Sequence, residues 1–271
     1  MGGLRAYARR KGWLAMDKIR EKIARRFLKV PEQWLKYAAA LIMVMASANT
    51  VILKNAVIRL DTYTQESLMA AMDTDSRLMA RVGLAGVMDA LAGLAVPLFA
   101  FLLVEGFLHT SDFRRYLIRV AATAVVGEFA YDFAMSGQLL DFSRQSPVLG
   151  LTLCLGMLFV MRRVENRETV DRVVLQILLT LCGLFWALLL RTEYGVAMVL
   201  TAAVFYCLRS HRAVRLILAL VCCLQYPLAP MSFIALAFYN GKREMKCPGI
   251  AFYILYPLHL IILAAVVRCA L

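Results

Sequence analysis

Long apolar runs without charged residues dominate the chain after its first 34 residues. Such runs cover residues 37–53, 145–161, 173–190, 194–208, 216–241 and 247–267. Two more apolar segments, 82–108 and 117–136, contain embedded acidic residues. Because a membrane-spanning helix needs about 20 residues, this pattern predicts an all-α, polytopic membrane helix bundle of about eight (8–9) transmembrane helices.

Residues 1–34 have a different pattern. They hold ten basic residues against three acidic ones, and apolar residues recur at helical spacing, at Trp13, Met16, Ile19, Ile23 and Phe27. This pattern predicts a basic amphipathic arm that lies on an anionic lipid leaflet, with a disordered basic tail as the alternative. The expected organisation is therefore an arm, 1–34, followed by a transmembrane domain, 35–271.

Composition supports the membrane class and narrows the partners. The 271 residues are 62% hydrophobic and 18% charged, which excludes a soluble globular domain. The net charge is +13, of which +7 lies in the arm. No basic-aromatic module accompanies this charge, so we expect no nucleic-acid partner. The cysteines and histidines lack the spacing of a metal site, and we expect no metal.

Charge in the loops predicts the topology. Arginine-rich segments at 114–119, 162–172 and 209–215 alternate with nearly neutral ones, which favours a cytoplasmic N-terminus. The run 216–241 is ambiguous because Pro227 and Pro230 interrupt it. It forms either one helix or a broken, re-entrant pair. We favour the pair, since it returns the basic residues that follow to the cytoplasm.

Several ionisable residues lie within the predicted spans, where each costs roughly 2.5–3.5 kcal/mol to insert. Glu105 and His109 are four residues apart on one helical face. His259 follows Pro257 in the last span. Each histidine is a candidate for acid–base chemistry, and a satisfied core histidine is the alternative for His259.

A second acidic pair, Glu128 and Asp132, has the same spacing, with Tyr131 between the two residues. Two carboxylates on one face need a cation or a proton. Arg119 and Arg191 are the candidate partners. The pair either serves function in a polar core or fixes helix packing.

Six segments together resemble the TraX family. They are 35–44 (LKYAAALIMV), 97–110 (PLFAFLLVEGFLHT), 127–132 (GEFAYD), 191–195 (RTEYG), 239–243 (YNGKR) and 256–260 (YPLHL). The resemblance covers about residues 35–265 and adds Asn240 to the polar-core candidates.

The resemblance implies a multi-pass protein of the bacterial inner membrane, related to integral-membrane acyltransferases. The family's named member is associated with N-terminal acetylation of conjugative pilin. Acetyl-CoA from the cytoplasm would therefore be the acyl donor. The acceptor would be an amine or hydroxyl of a protein, peptide or glycan.

Two departures from the family pattern concern catalysis. Ala46 and Ser47 stand where the family has an Asp–His pair, and Ala92-Gly93 replaces its Gly-Arg. Acyl transfer needs a base that accepts the nucleophile's proton. The chain is therefore either a degenerate relative or an enzyme that uses other residues.

The remaining residues suggest how catalysis could be retained. His259 is the best candidate base, and Glu105 with His109 is the second. The candidate cations for the phosphates of CoA, which also fit plain cytoplasmic loop charge, are Arg114, Arg115, Lys242 and Arg243.

Three functions follow from these observations. The first is a membrane acyltransferase, and the second is a non-catalytic protein that binds a partner or lipid during assembly. The third is a transporter, which embedded acids also suggest. It is the least favoured, because the sequence shows no internal repeat.

Overall fold

The computed structural model describes residues 30–241 and 249–270, which are helical apart from turns, loops and isolated β-bridges. The first part contains α1 (Glu32–Ala48), a π-helix (Asn49–Ile58), a 3-10 turn (Leu60–Thr62), α2 (Gln65–Thr74), α3 (Ser76–Ala92), α4 (Ala95–His109) and α5 (Phe113–Met135). The second part contains α6 (Pro147–Arg163), α7 (Thr169–Leu189), α8 (Gly195–Cys207), α9 (Arg212–Cys222), α10 (Ala229–Ala237) and α11 (Ile250–Ala270). Nearly all of the predicted basic arm lies outside the described residues.

The all-helical membrane class is confirmed, but the count of about eight transmembrane helices is not. Four stretches of the described chain are long and apolar enough to cross a membrane: Glu32–Ile58, Ser76–His109, Thr169–Leu189 and Ile250–Cys269. The other predicted spans fall short for physical reasons. Helix α5 carries arginines and acids along its length, α6 and α8 have only 17 and 13 residues, and the run 216–241 is divided in two.

Helices α4 and α8 form the centre of the bundle. Phe101 and Phe107 of α4 are fully buried and meet Phe205 and Tyr206 of α8 edge to face, with ring centroids 5.4 and 5.8 Å apart. Helix α7, in contrast, exposes large apolar side chains along its outer face, among them Phe185. An outer surface of this kind suits contact with lipid rather than water.

The loops lie at the two ends of the bundle. We call the end with the loops 164–168 and 208–211 the near end, and the end with the loops 136–146 and 190–194 the far end. At the near end, the Tyr206 hydroxyl and the Arg209 guanidinium bind the Glu165 carboxylate at 2.6 and 2.7 Å. Burial opposes the ionisation of Glu165, but these two donors outweigh it and hold the pKa of the carboxyl below its ordinary value. At the far end, Gln145 and Thr192 form a β-bridge. The cytoplasmic orientation of the near end remains a prediction.

A helical hairpin replaces a single crossing between residues 212 and 237. Helices α9 and α10 have 11 and 9 residues, too short to span the membrane, and residues 223–228 turn the chain between them. Arg212 closes the open end of the hairpin by donating to the carbonyls of Ala237 and Tyr239, both at 2.8 Å. Val30, just before α1, forms a β-bridge with Tyr239. Both ends of the hairpin therefore lie at the near end, which is the re-entrant arrangement favoured above.

This hairpin makes a topology prediction. A short epitope inserted after Ser210 and one inserted after Gly241 are expected to be accessible to antibody from the same side of sealed membrane vesicles. An epitope inserted after Gly137, in the far-end loop, is the matched control and is expected on the opposite side. A single crossing by 212–237 would instead place the Ser210 and Gly241 epitopes on opposite sides.

Candidate functional site

A cavity of about 490 Å³ extends through the depth of the bundle beside α1. Its near-end wall includes Lys36, Tyr116 and Gly249, and its far-end wall includes Lys54, Arg144 and Glu193. Between them the wall is largely apolar, with residues from α1, α4, α5, α6 and α11, such as Phe99, Leu102, Val120, Leu151 and Phe252. The cavity therefore offers an apolar passage with charged groups at both ends.

Ser47 and His259 meet beside this cavity. The Ser47 Oγ lies 3.0 Å from His259 Nε2, and both residues are buried, with 8% and 6% of their surface exposed. His259 Nδ1 lies 2.9 Å from the carbonyl oxygen of Leu255. Because a carbonyl only accepts, the neutral ring carries its proton on Nδ1, and we assign Nε2 as the acceptor of the Ser47 hydroxyl. The best candidate base thus contacts a residue that stands in place of the family's Asp–His pair.

The contact between α5 and α11 positions His259. Tyr256, one turn before His259, lies against Gly127 of α5, where an added Cβ would come within 2.6 Å of the tyrosine ring. The rings of Tyr256 and His259 have centroids 5.6 Å apart. Gly127 therefore allows the close helix approach that holds His259 in register with Ser47.

The far end of the cavity holds a network of opposite charges. Asp89 accepts a hydrogen bond from Asn49 Nδ2 at 2.9 Å and pairs with Lys54 Nζ at 2.5 Å. Glu193 accepts from the Tyr131 hydroxyl at 2.9 Å and lies 3.9 Å from Arg144 Nη1. The two carboxylates and the two cations leave this end nearly neutral but able to bind polar groups.

Glu128 and Asp132 bind the backbone of the far-end loop. The Glu128 carboxylate accepts from the Ser146 N–H at 2.9 and 3.2 Å, and Asp132 accepts from the Asp141 N–H at 2.9 Å. Among the described residues, the partners of the two carboxylates are therefore these backbone amides, and not Arg119 or Arg191 as the sequence suggested. Both acids therefore anchor the backbone of the loop between α5 and α6.

This geometry predicts different results for two Glu128 variants. Glu128→Ala leaves a buried amide without an acceptor, and is expected to cost about 1–3 kcal/mol of unfolding free energy. Glu128→Gln keeps an acceptor and is expected to lose much less. Thermal unfolding in detergent measures both changes. A Gln variant as unstable as the Ala variant would contradict this role for the carboxylate.

Glu105 and His109 do form a pair, but among the described residues neither lines the cavity. His109 Nδ1 lies 3.6 Å from Glu105 Oε2 and 2.9 Å from the Glu105 carbonyl, and His109 is half-exposed at the near end. Arg114 and Arg115 are exposed nearby, and Arg115 pairs with Asp112 at 3.0 Å. Their roles in binding CoA remain predictions.

The other predicted positions are distributed over the bundle. Ala46 lines the cavity beside Ser47. Gly93 lies against the hairpin, where an added Cβ would come within 2.8 Å of Tyr226 Cβ, so an arginine needs Tyr226 to move. The Asn240 N–H donates to the Val30 carbonyl at 3.1 Å. Lys242 and Arg243 lie outside the described residues.

Sequence reasoning did not identify the far-end network as part of a site. Asn49 is an uncharged residue near the end of the first predicted span, 37–53, and Lys54 follows that span. Arg144 and Glu193 lie in loops, where polar residues need no explanation. Asp89 gave a signal as an acid inside an apolar segment. Its partners could not be identified from the sequence because they are 35 or more residues away along the chain.

The helices, the cavity and the buried polar groups define a multi-helix membrane protein with an internal site. Comparison with known proteins identifies its family: the TraX protein family matches residues 32–267, and the chain belongs to it. A relative in Dichelobacter nodosus, named "Probable fimbrial assembly protein FimC, serogroup H1", is 28% identical over 199 residues, which are 64% of this chain and 79% of the relative. No solved structure matches the chain.

Proposed function

We propose that this protein transfers an acetyl group from acetyl-CoA to an amine or hydroxyl acceptor inside the cavity. One observation carries the proposal: a buried serine–histidine pair, Ser47 with His259, lies at a cavity that extends through the depth of the bundle. Acyl transfer needs a group that takes a proton from the nucleophile, and a neutral imidazole with a free ring nitrogen is suited to it.

The same pair supports the proposal despite the missing Asp–His motif. The family's histidine position is occupied by Ser47, and His259 of α11 brings an imidazole nitrogen to 3.0 Å from its hydroxyl. The Leu255 carbonyl fixes the tautomer, a task that carboxylates perform in many catalytic pairs. We propose that α11 supplies the imidazole in this chain, in place of α1.

The two ends of the cavity suit different substrates, the acyl donor at the near end and the acceptor at the far end. The pantetheine arm of CoA is long and thin, which suits an apolar passage, and its phosphates need cations, which are numerous at the near end. Arg114, Arg115, Lys242 and Arg243 are the proposed phosphate-binding residues. The far end, with Asp89, Lys54, Arg144 and Glu193, would receive the polar acceptor.

The relative's name suggests the setting. We propose that the acceptor belongs to the assembly of a fimbria or pilus, in the bacterial inner membrane with the N-terminus in the cytoplasm. A protein or peptide amine is then the favoured acceptor over a glycan. The basic arm, 1–34, would lie on the anionic leaflet on the same side as the near end.

Transfer of radiolabel from acetyl-CoA tests the proposal. The purified chain in nanodiscs is supplied with labelled acetyl-CoA and a membrane extract of its host as the source of acceptor. The natural chain is expected to label the extract, and Ala46→Trp, which places an indole in the cavity beside Ser47, is expected to lose nearly all transfer. Ala122→Trp, the same change at an exposed position of α5, is the matched control and is expected to retain it. Absence of transfer by the natural chain, or full activity of Ala46→Trp, would overturn the proposal.

The second candidate is a non-catalytic assembly protein. The replacement of the family's Asp–His pair by Ala46-Ser47 favours it, and so does the name of the fimbrial relative. Under this alternative, acetyl-CoA would raise the thermal stability of the natural chain without any transfer or hydrolysis of the donor. The radiolabel experiment separates the two functions because only the first consumes acetyl-CoA.

A further inference from the structure

We propose that Ser47 carries the acetyl group as a covalent ester between donor and acceptor, and that His259 takes and returns the proton at each step. The inference rests on the proposed function and deepens it. It replaces a direct transfer, in which His259 activates the acceptor, with two successive transfers through one serine.

The hydrogen bond between the two residues has the direction that activation requires. His259 Nδ1 donates to the Leu255 carbonyl, so Nε2 is the free acceptor and the Ser47 hydroxyl donates to it. A serine whose hydroxyl donates to an oriented imidazole is the usual arrangement of an activated oxygen nucleophile. In many such pairs a carboxylate orients the ring, and a backbone carbonyl does so in this protein.

Position distinguishes the serine from the histidine. Ser47 lines the cavity, whereas His259 is not among the described lining residues. The serine oxygen lies 3.0 Å from the acceptor nitrogen of the ring and belongs to the residue of the pair that lines the cavity. A bound thioester therefore meets the Ser47 hydroxyl before it meets the imidazole.

The local backbone sets Ser47 apart from other helical hydroxyls. Thr50 donates back to the Ala46 carbonyl, as hydroxyl side chains in helices commonly do. Ser47 instead donates to a residue 212 positions away. It also lies two residues before the π-helix Asn49–Ile58, and departures of this kind from α-helical geometry are frequent at functional sites.

The two transfers balance in atoms and charge. First, the Ser47 proton moves to His259 Nε2, Oγ bonds to the thioester carbonyl carbon, and the C–S bond breaks. The thiolate of CoA takes the proton from Nε2 and leaves as the free thiol. In the second transfer the acceptor amine or hydroxyl gives its proton to Nε2 and attacks the ester carbon. The Oγ–C bond then breaks, and Oγ recovers its proton.

Trapping of the ester tests the inference. The full-length chain in nanodiscs is mixed with labelled acetyl-CoA without acceptor, quenched in acid and digested. We expect one acetyl group on the peptide that contains Ser47, and exchange of label between acetyl-CoA and free CoA. Ser47→Ala and His259→Ala are expected to lose both signals by at least about 100-fold. Thr152→Ala, which removes a helical hydroxyl outside the described cavity wall, is the matched control.

A conservative variant and the full reaction complete the test. Ser47→Cys is expected to keep a label, now as a thioester that hydroxylamine cleaves at neutral pH. If Ser47→Ala transfers label to acceptor at the natural rate while His259→Ala does not, the acyl-serine is overturned and the proposed function stands. If the natural chain neither becomes labelled nor transfers label, both are overturned. Unfolding temperatures of the variants show whether a loss reflects the fold.

Discussion

Replacement of His259 by glutamine is expected to reduce acyl transfer by about 10²–10⁴-fold, which is the usual contribution of a positioned proton acceptor. Glutamine is close to histidine in size and can still accept a hydrogen bond from Ser47, but it cannot take the proton. The loss is therefore expected in the turnover rate rather than in the unfolding temperature. The measurement is the rate of label transfer from acetyl-CoA in nanodiscs, with thermal unfolding of the same sample.

Two histidine variants serve as controls for this result. His211→Gln changes an exposed residue between α8 and α9 and is expected to have no effect on the rate. His109→Gln tests the rival pair with Glu105, which among the described residues lies off the cavity, and is expected to keep most of the activity. Loss of transfer in His109→Gln with retention in His259→Gln would move the base to the near end and contradict the site described here.

Sequence patterns predicted the class of this fold better than its number of spans. Uncharged runs identify helices because lipid excludes unpaired polar groups, so α1, α7 and α11 follow from composition alone. The pattern does not say how a long run is divided. The run 216–241 became a hairpin because Pro227 interrupts it and Arg212 ties its two ends together. The first of these causes is visible in sequence, and the second is a contact over 25 residues or more.

The candidate site was also predictable only in part, because local sequence patterns do not specify contacts between distant segments. His259 was singled out as a polar group at membrane depth, and Ala46 and Ser47 as departures from a family pattern. The contact between Ser47 and His259 joins the first and last spanning helices, and no local pattern specifies that pairing. The far-end network is similar, because Asp89, Lys54 and Glu193 belong to three separate segments.

Local geometry also explains why some residues that the sequence marks as functional candidates have structural roles. The spacing of Glu128 and Asp132 suggested a proton or cation between two carboxylates. Both instead accept backbone N–H groups of the loop that leads into α6. A carboxylate that binds a loop amide and one that binds a substrate give the same sequence signal, since both require an acid in an apolar segment.

The close approach of α5 to α11 leads to the second large effect. Gly127→Ala places a methyl group where it would lie 2.6 and 2.7 Å from two ring carbons of Tyr256. These distances are too short for contact, so the helices must separate or the ring must turn. Overpacking of this kind is expected to cost about 1–3 kcal/mol of unfolding free energy. Because Tyr256 is one turn from His259, we also expect a loss of transfer larger than the loss of stability explains.

Two further variants test that explanation. Gly156→Ala makes the same change in α6 with no neighbouring atom within 4 Å of the new Cβ, and is expected to be neutral or slightly stabilising. Tyr256→Leu removes the ring, so the double variant Gly127→Ala/Tyr256→Leu is expected to be more stable than the sum of the single changes predicts. Additive losses in this cycle would show that Gly127 does not act through Tyr256. A favourable coupling, with partial recovery of transfer, would show that the spacing of α5 and α11 sets the distance between Ser47 and His259.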